Sequence, residues 1–216
     1  MVAFYADEIE SQWGEDDMAN VSADELANLA ADRAEQKEAI DGLNKSWNSL
    51  SNTINTALDG SYENIVHIDI HSGYGPRYNM VIFNSVQDPT TEAEATEMFG
   101  YDYIIAIDSE EFYETFGDTT DYFYRLAKSK NTDKSLYSTC FEFGTIGDGF
   151  LDSILSLKYT VDENRLHRFG ASNDVAEQMV MENYKELFYP TEKEWREKTV
   201  ADFKDAMLGV LNAKLK

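Results

Sequence analysis

Three polar side chains spaced two apart, His67, Asp69 and His71, interrupt the apolar run "NIVHIDIHSGYGPR" at residues 64–77. In an extended strand they share one face while Val66, Ile68 and Ile70 share the other. Imidazoles at such spacing can converge on a metal ion, and an imidazole beside a carboxylate is equally a satisfied polar pair in a core. Both readings fit the residues. The run ends in Ser72, Gly73, Tyr74 and Gly75, which turn the chain where a site at a strand tip would open.

Three further stretches carry candidate chemistry. In "FEFGTIGDG", residues 141–149, Glu142 stands between two phenylalanines at the end of an apolar strand. Apolar surroundings raise a carboxyl's proton affinity and suit it to general acid or base work, whereas a solvated strand end leaves it an ordinary carboxylate. In "GDTTDYFYRL", residues 117–126, Asp118, Thr119 or Thr120 can cap a helix. Tyr122, Phe123 and Tyr124 then supply either packing area or a phenolic donor for a ligand. In "DENRLHRFG", residues 162–170, Glu163 and His167 lie one helical turn apart, spacing that serves a metal pair or a helix-supporting hydrogen bond. The acidic runs "GEDD" and "DSEE" lack the regularly spaced oxygens of a calcium loop and read as solvated surface.

These groups need a scaffold, and the chain can build one. Its 216 residues, with 13% aromatics, bury a sizeable core. Strand-like runs fall at 64–71, 79–84, 103–107 and 136–143, with helical or turn-rich segments between them. That alternation predicts an α/β fold with a mixed, partly parallel sheet and flanking helices. The pattern from Ser22 to Leu43 predicts one helix ending near Gly42, and 45–58 a second. Residues 173–187 and 192–214 predict two amphipathic helices, with Pro190 ending the first and Thr191 capping the next. Residues 1–21 read as an acidic N-terminal arm and 22–216 as the folded domain. Cys140, the single cysteine, lies in the run "SLYSTCFEF" and reads as a small buried apolar residue.

The net charge of −23 opposes nucleic-acid binding, which needs clustered Lys and Arg, and opposes anionic membranes equally. No run of roughly 18 apolar residues predicts a membrane span. The start "MVAFYADEIESQW" lacks the basic and apolar regions of a signal peptide, and nothing else assigns a compartment.

Taken in order, these stretches resemble the second half of a zinc metallocarboxypeptidase domain, in its carboxypeptidase-like bacterial branch. There a strand ending in a pattern such as "D-x-H-[ST]-G" delivers the last zinc ligand, which the resemblance puts on His71 in "HIDIHSGYGP". A strand ending "F-E" delivers the catalytic glutamate, here Glu142 in "CFEFGT". A preceding "D-x-x-Y" segment, matched by Asp121 to Tyr124, gives Tyr124 the substrate-contacting role. "ENRLHRFG" and "LFYPTEKEWREKTV" resemble the branch's C-terminal region, and the likeness spans roughly residues 45–214. It makes Asp69 a group that orients His71 or anchors the core.

The resemblance implies, for a complete form, zinc-dependent hydrolysis of a C-terminal peptide or related amide bond, with a peptide or an acylated amino acid as substrate. The His-x-x-Glu pair that provides the family's other two zinc ligands is absent, since no histidine here has Glu at the third position after it. Nor does any segment before His71 resemble the family's carboxylate-binding arginine. The chain is therefore expected to be a partial or degenerate relative that by itself binds zinc weakly or not at all and hydrolyses no peptide. A metal-free binding or structural module is the alternative, and a zinc site rebuilt from His67, His71 and His167 a third reading. On fold, the strand 64–71 is expected centrally in the sheet beside 136–143, with His71, Glu142 and Tyr124 lining one cleft at the strands' carboxyl ends.

Overall fold

The computed structural model describes residues 23–106 and 118–215, so the proposed acidic arm and the Ser22 cap lie outside the described residues. The chain divides into two compact units, Met1–Gly60 and Ser61–Lys216. In the first, α1 runs unbroken through Ala23–Asp59. Two helices were expected here. A Cβ built on Gly42 would meet nothing within 4 Å, so the glycine sits in open space and costs the helix only about 1 kcal/mol relative to alanine. Without a proline or a side-chain cap to add to it, that cost does not stop a helix.

The second unit contains β1 (Asn64–Ser72), β2 (Met80–Asn84), α2 (Glu92–Phe99), β3 (Ile104–Ala106) and α3 (Thr119–Ser129). It continues with β4 (Ser135–Phe143), α4 (Phe150–Phe169), α5 (Asp174–Phe188) and α6 (Lys193–Lys214). The four strands form one sheet in the order β1-β4-β2-β3. β1 pairs with β4 in parallel, β4 with β2 antiparallel, and β2 with β3 in parallel. This is the mixed α/β sheet that the alternation predicts. β1 does lie beside β4, but at the sheet's edge and not at its centre; β4 and β2 are the central pair.

One sheet face is the main core. Tyr137, Phe141 and Phe143 of β4 and Met80 and Ile82 of β2 pack with Phe99 of α2 and with Trp195, Ala206 and Val210 of α6. The other face carries the alternate residues of β1 and β4 and is partly covered by α3, whose amphipathic face buries Thr120, Phe123 and Ala127. Asp118 caps α3 by accepting from the Asp121 N–H at 2.8 Å. Thr191, by contrast, is no cap: α6 starts after Glu192, and the Thr191 N–H donates to Glu186 at 3.0 Å.

Candidate functional site

The parallel, unshifted register of β1 and β4 builds the site. Asp69 is the partner of Cys140, and His71 of Glu142. Side chains alternate along each strand, so His67, Asp69 and His71 stand on the same face as Ser138, Cys140 and Glu142. The α3 helix begins beside Asp69, whose carboxylate accepts from the Thr119 hydroxyl, and one turn later sets Phe123 edge-on to His67 with ring centroids 5.2 Å apart. The helix therefore covers the middle of the strands and leaves their carboxyl ends open. There His71 is 54% exposed.

The glycine-rich turn after β1 wraps the end of β4. The Gly73 N–H donates to the Phe143 carbonyl at 3.1 Å, and the Tyr74 N–H donates to Glu142 Oε1 at 3.1 Å. Gly73 and Gly75 hold φ of 132° and 102°, a region that side-chain-bearing residues avoid. A Cβ on Gly144 would lie 2.1 Å from the Pro76 carbonyl oxygen, so the two segments touch backbone to backbone. Trp195 Nε1 donates to the Gly144 carbonyl at 2.7 Å, and Thr145 Oγ1 to that of Leu187 at 2.7 Å. The ends of α5 and α6 thus brace the turn that holds Glu142.

Electrostatics divides the carboxylates. Burial raises the Glu142 carboxyl above its ordinary range and Asp69 adds to this, while the Tyr74 N–H and His71 oppose it without cancelling it. Burial acts on Asp69 in the same direction, but the Thr119 hydroxyl and His71 together outweigh it and hold Asp69 low. His71 Nε2 lies 3.1 Å from Asp69 Oδ1, an arrangement that orients the ring. Burial pushes the Cys140 thiol well up, with Glu142, Asp69 and Asp118 contributing.

Of the residues singled out from sequence, His71 and Glu142 come together and Tyr124 does not. The Tyr124 hydroxyl donates to Asp88 Oδ2 at 2.7 Å and accepts from the Ser138 N–H at 3.1 Å, four residues before Glu142 on β4. It braces α3 against the sheet at Ser138, and its hydroxyl is bonded to Asp88 and Ser138, not to His71 or Glu142. His67, deeper on the same face, is engaged by its register partner, its Nδ1 2.8 Å from Ser138 Oγ. His167 lies on α4, which packs on α5. The rebuilt three-histidine site has no counterpart among the described residues. Sequence reasoning missed Cys140, whose thiol lies within 4.8 Å of donor atoms of both His71 and Glu142. Its signal was parity: Cys140 and Glu142 are two apart, as are Asp69 and His71.

Residues 41–202 match the model of a family described as "Protein of unknown function (DUF2817)", about three quarters of the chain. The chain belongs to this family. No curated protein and no solved structure matches it. The family description assigns no activity, so it neither conflicts with the carboxypeptidase resemblance nor extends to it.

The zinc arrangement that the resemblance implies can be tested against the donors. A catalytic zinc takes three protein ligands and a water, and that arrangement leaves the glutamate free as a base. Among the described residues His71 supplies one nitrogen, Asp69 is engaged by Thr119 and His71, and His67 is engaged by Ser138. The remaining donors in reach are Cys140 and Glu142 itself. Three ligands with Glu142 left free are not present, and the residues do not fit that arrangement.

Proposed function

We propose that this chain is a carboxypeptidase-derived domain that holds the proton-carrying carboxylate, Glu142, and one ligand-type histidine, His71, of a hydrolytic site, and that by itself it hydrolyses nothing. One observation carries this reading: Glu142, with its proton affinity raised by burial, is the register partner of exposed His71 at the carboxyl ends of two parallel strands. Ligands of open α/β sheets commonly sit at that end.

In a complete form the reaction is hydrolysis of a C-terminal peptide or related amide bond, in a peptide or an acylated amino acid. Glu142 takes a proton from the attacking water and delivers it to the leaving amine as the C–N bond breaks. Tyr124 keeps no substrate role in this reading, because its hydroxyl is spent on Asp88 and Ser138.

A metal-free binding or structural module is the second reading. It is favoured by the polar groups being bonded within the chain, Asp69 to Thr119 and Glu142 to Tyr74. The test is a peptide-library and N-acyl-amino-acid assay of the purified chain, with metal analysis after exhaustive dialysis. No turnover and no stoichiometric zinc are expected. Turnover by the chain, or stoichiometric zinc retained by it and lost in His71→Ala, overturns the ligand count. In a longer form carrying a His-x-x-Glu segment, Glu142→Gln is expected to lower kcat about 100-fold or more. Full activity in that variant removes Glu142 from the role and leaves the module reading.

A further inference from the structure

The geometry points to a different metal site from the one the resemblance implies: a three-donor site for a thiophilic divalent cation of the zinc class, formed by a ring nitrogen of His71, Cys140 Sγ and a carboxylate oxygen of Glu142. The three donor atoms all lie within 4.8 Å of one another. Zinc takes nitrogen at about 2.0 Å and sulfur at about 2.3 Å, so tetrahedral ligands sit about 3.3–3.8 Å apart, and side-chain rotations of about 1 Å close the set.

The scaffold suits such a site. Cys140 and Glu142 project from one face of β4 and His71 from the neighbouring position of β1, three positions fixed by the parallel ladder and not by a loop. Asp69, the register partner of Cys140, lies 3.1 Å from His71 Nε2, the carboxylate contact that typically orients a metal-binding imidazole. The thiol has Glu142, Asp69 and Asp118 around it and no Lys or Arg among the charges that act on it. Carboxylates around a thiol disfavour a bare thiolate nucleophile and favour a thiolate that carries a cation. The mixed N, S and O donor set selects a borderline-soft ion over magnesium or calcium, which take oxygen.

This inference does not depend on the hydrolytic reading. It has a consequence for it, because a cation held this way takes Glu142 as a ligand and removes it as a base. The loaded chain is then a metal-binding form and not a hydrolase. With only three protein donors, one of them on the exposed His71, the ion exchanges readily and leaves on dialysis, so equilibrium titration is the readout.

The experiment titrates the reduced full chain with Co²⁺, following sulfur-to-cobalt charge transfer in the near ultraviolet, and then displaces the Co²⁺ with Zn²⁺. Saturable one-to-one binding with a charge-transfer band is expected, together with loss of the band in Cys140→Ala. Affinity is expected to fall about tenfold or more in His71→Ala and in Glu142→Gln. Circular dichroism of each variant checks the fold, and His71→Ala, at an exposed position, serves should Cys140→Ala not fold. Absence of saturable binding overturns the proposal, as does Co²⁺ bound without the band or with undiminished affinity in His71→Ala, which places the ion on surface carboxylates.

Discussion

His67 shows how one face of a strand can hold two histidines with opposite fates. His71, at the open end, faces solvent; His67, four residues earlier, lies under Phe123 with its Nδ1 on Ser138. Burial lowers the His67 pKa below its ordinary 6.5, against the opposing pull of Asp69. The folded chain therefore binds fewer protons at this site than the unfolded chain between 6.5 and the lowered value, and stability rises with pH across that window. The contribution is fully present above 6.5 and is lost as pH falls through the folded value. Denaturant midpoints of the native chain and of His67→Gln, compared at pH 7 and pH 5, should show a smaller acid loss in the variant. Equal losses would mean that other groups, not His67, set the acid limb. The two histidines have the same spacing pattern in the sequence, and what separates them is where α3 ends its cover, which no local pattern records.

At the scale of elements, strand identity was legible and strand placement was not. β-branched and aromatic runs mark all four strands to within a residue or two, and the C-terminal helices follow their periodicity. The sequence of β1 alternates like a strand with one polar face, which describes an edge and a half-covered centre equally well, so its edge position had to come from the pairing. The same gap hid Cys140: the parity of Cys140 and Glu142 is visible, but that they face Asp69 and His71 is a fact of register. Gly42 was misread for a related reason, since the cost of a glycine depends on its surroundings. Gly209 in α6 and Gly42 in α1 are both helical, yet a Cβ on Gly209 would lie 2.0 Å from the Phe99 carbonyl oxygen and one on Gly42 would meet nothing. Gly209→Ala must push α6 off the end of α2 and should lower stability by about 1–3 kcal/mol despite alanine's better helix propensity. Gly42→Ala should instead raise helix stability by up to about 1 kcal/mol. Urea titrations of both variants check the pair, and a neutral or stabilising Gly209→Ala would mean that the α2–α6 contact gives way to the added methyl without cost.

At the scale of the whole molecule the dominant quantity is charge. Forty-one acidic residues against 18 basic ones leave −23 and a pI near 4.3. Ion pairs among the described residues, such as Arg77 with Glu192 at 2.6 Å or Lys198 with Asp202, are exposed and each adds little. They cannot offset so large an excess. Repulsion among like charges spread over the surface acts against the compact state, and it acts through water, where salt screens it. At about 0.1 M ionic strength the screening length is about 10 Å, shorter than most separations on a molecule of this size, so most of the repulsion is removable by ordinary salt. The melting temperature at pH 7 should therefore climb as NaCl rises from a few millimolar to about 0.3 M and then level off, with the steepest gain at the low end. The plateau separates screening from the general stabilisation by excluded salts, which continues to grow with concentration. A melting temperature that is flat or falls over the low-salt range would show that the paired charges, few and exposed as they are, outweigh the excess. The same excess should keep the chain off DNA-cellulose at low salt, because a net charge of −23 is repelled by a polyanion.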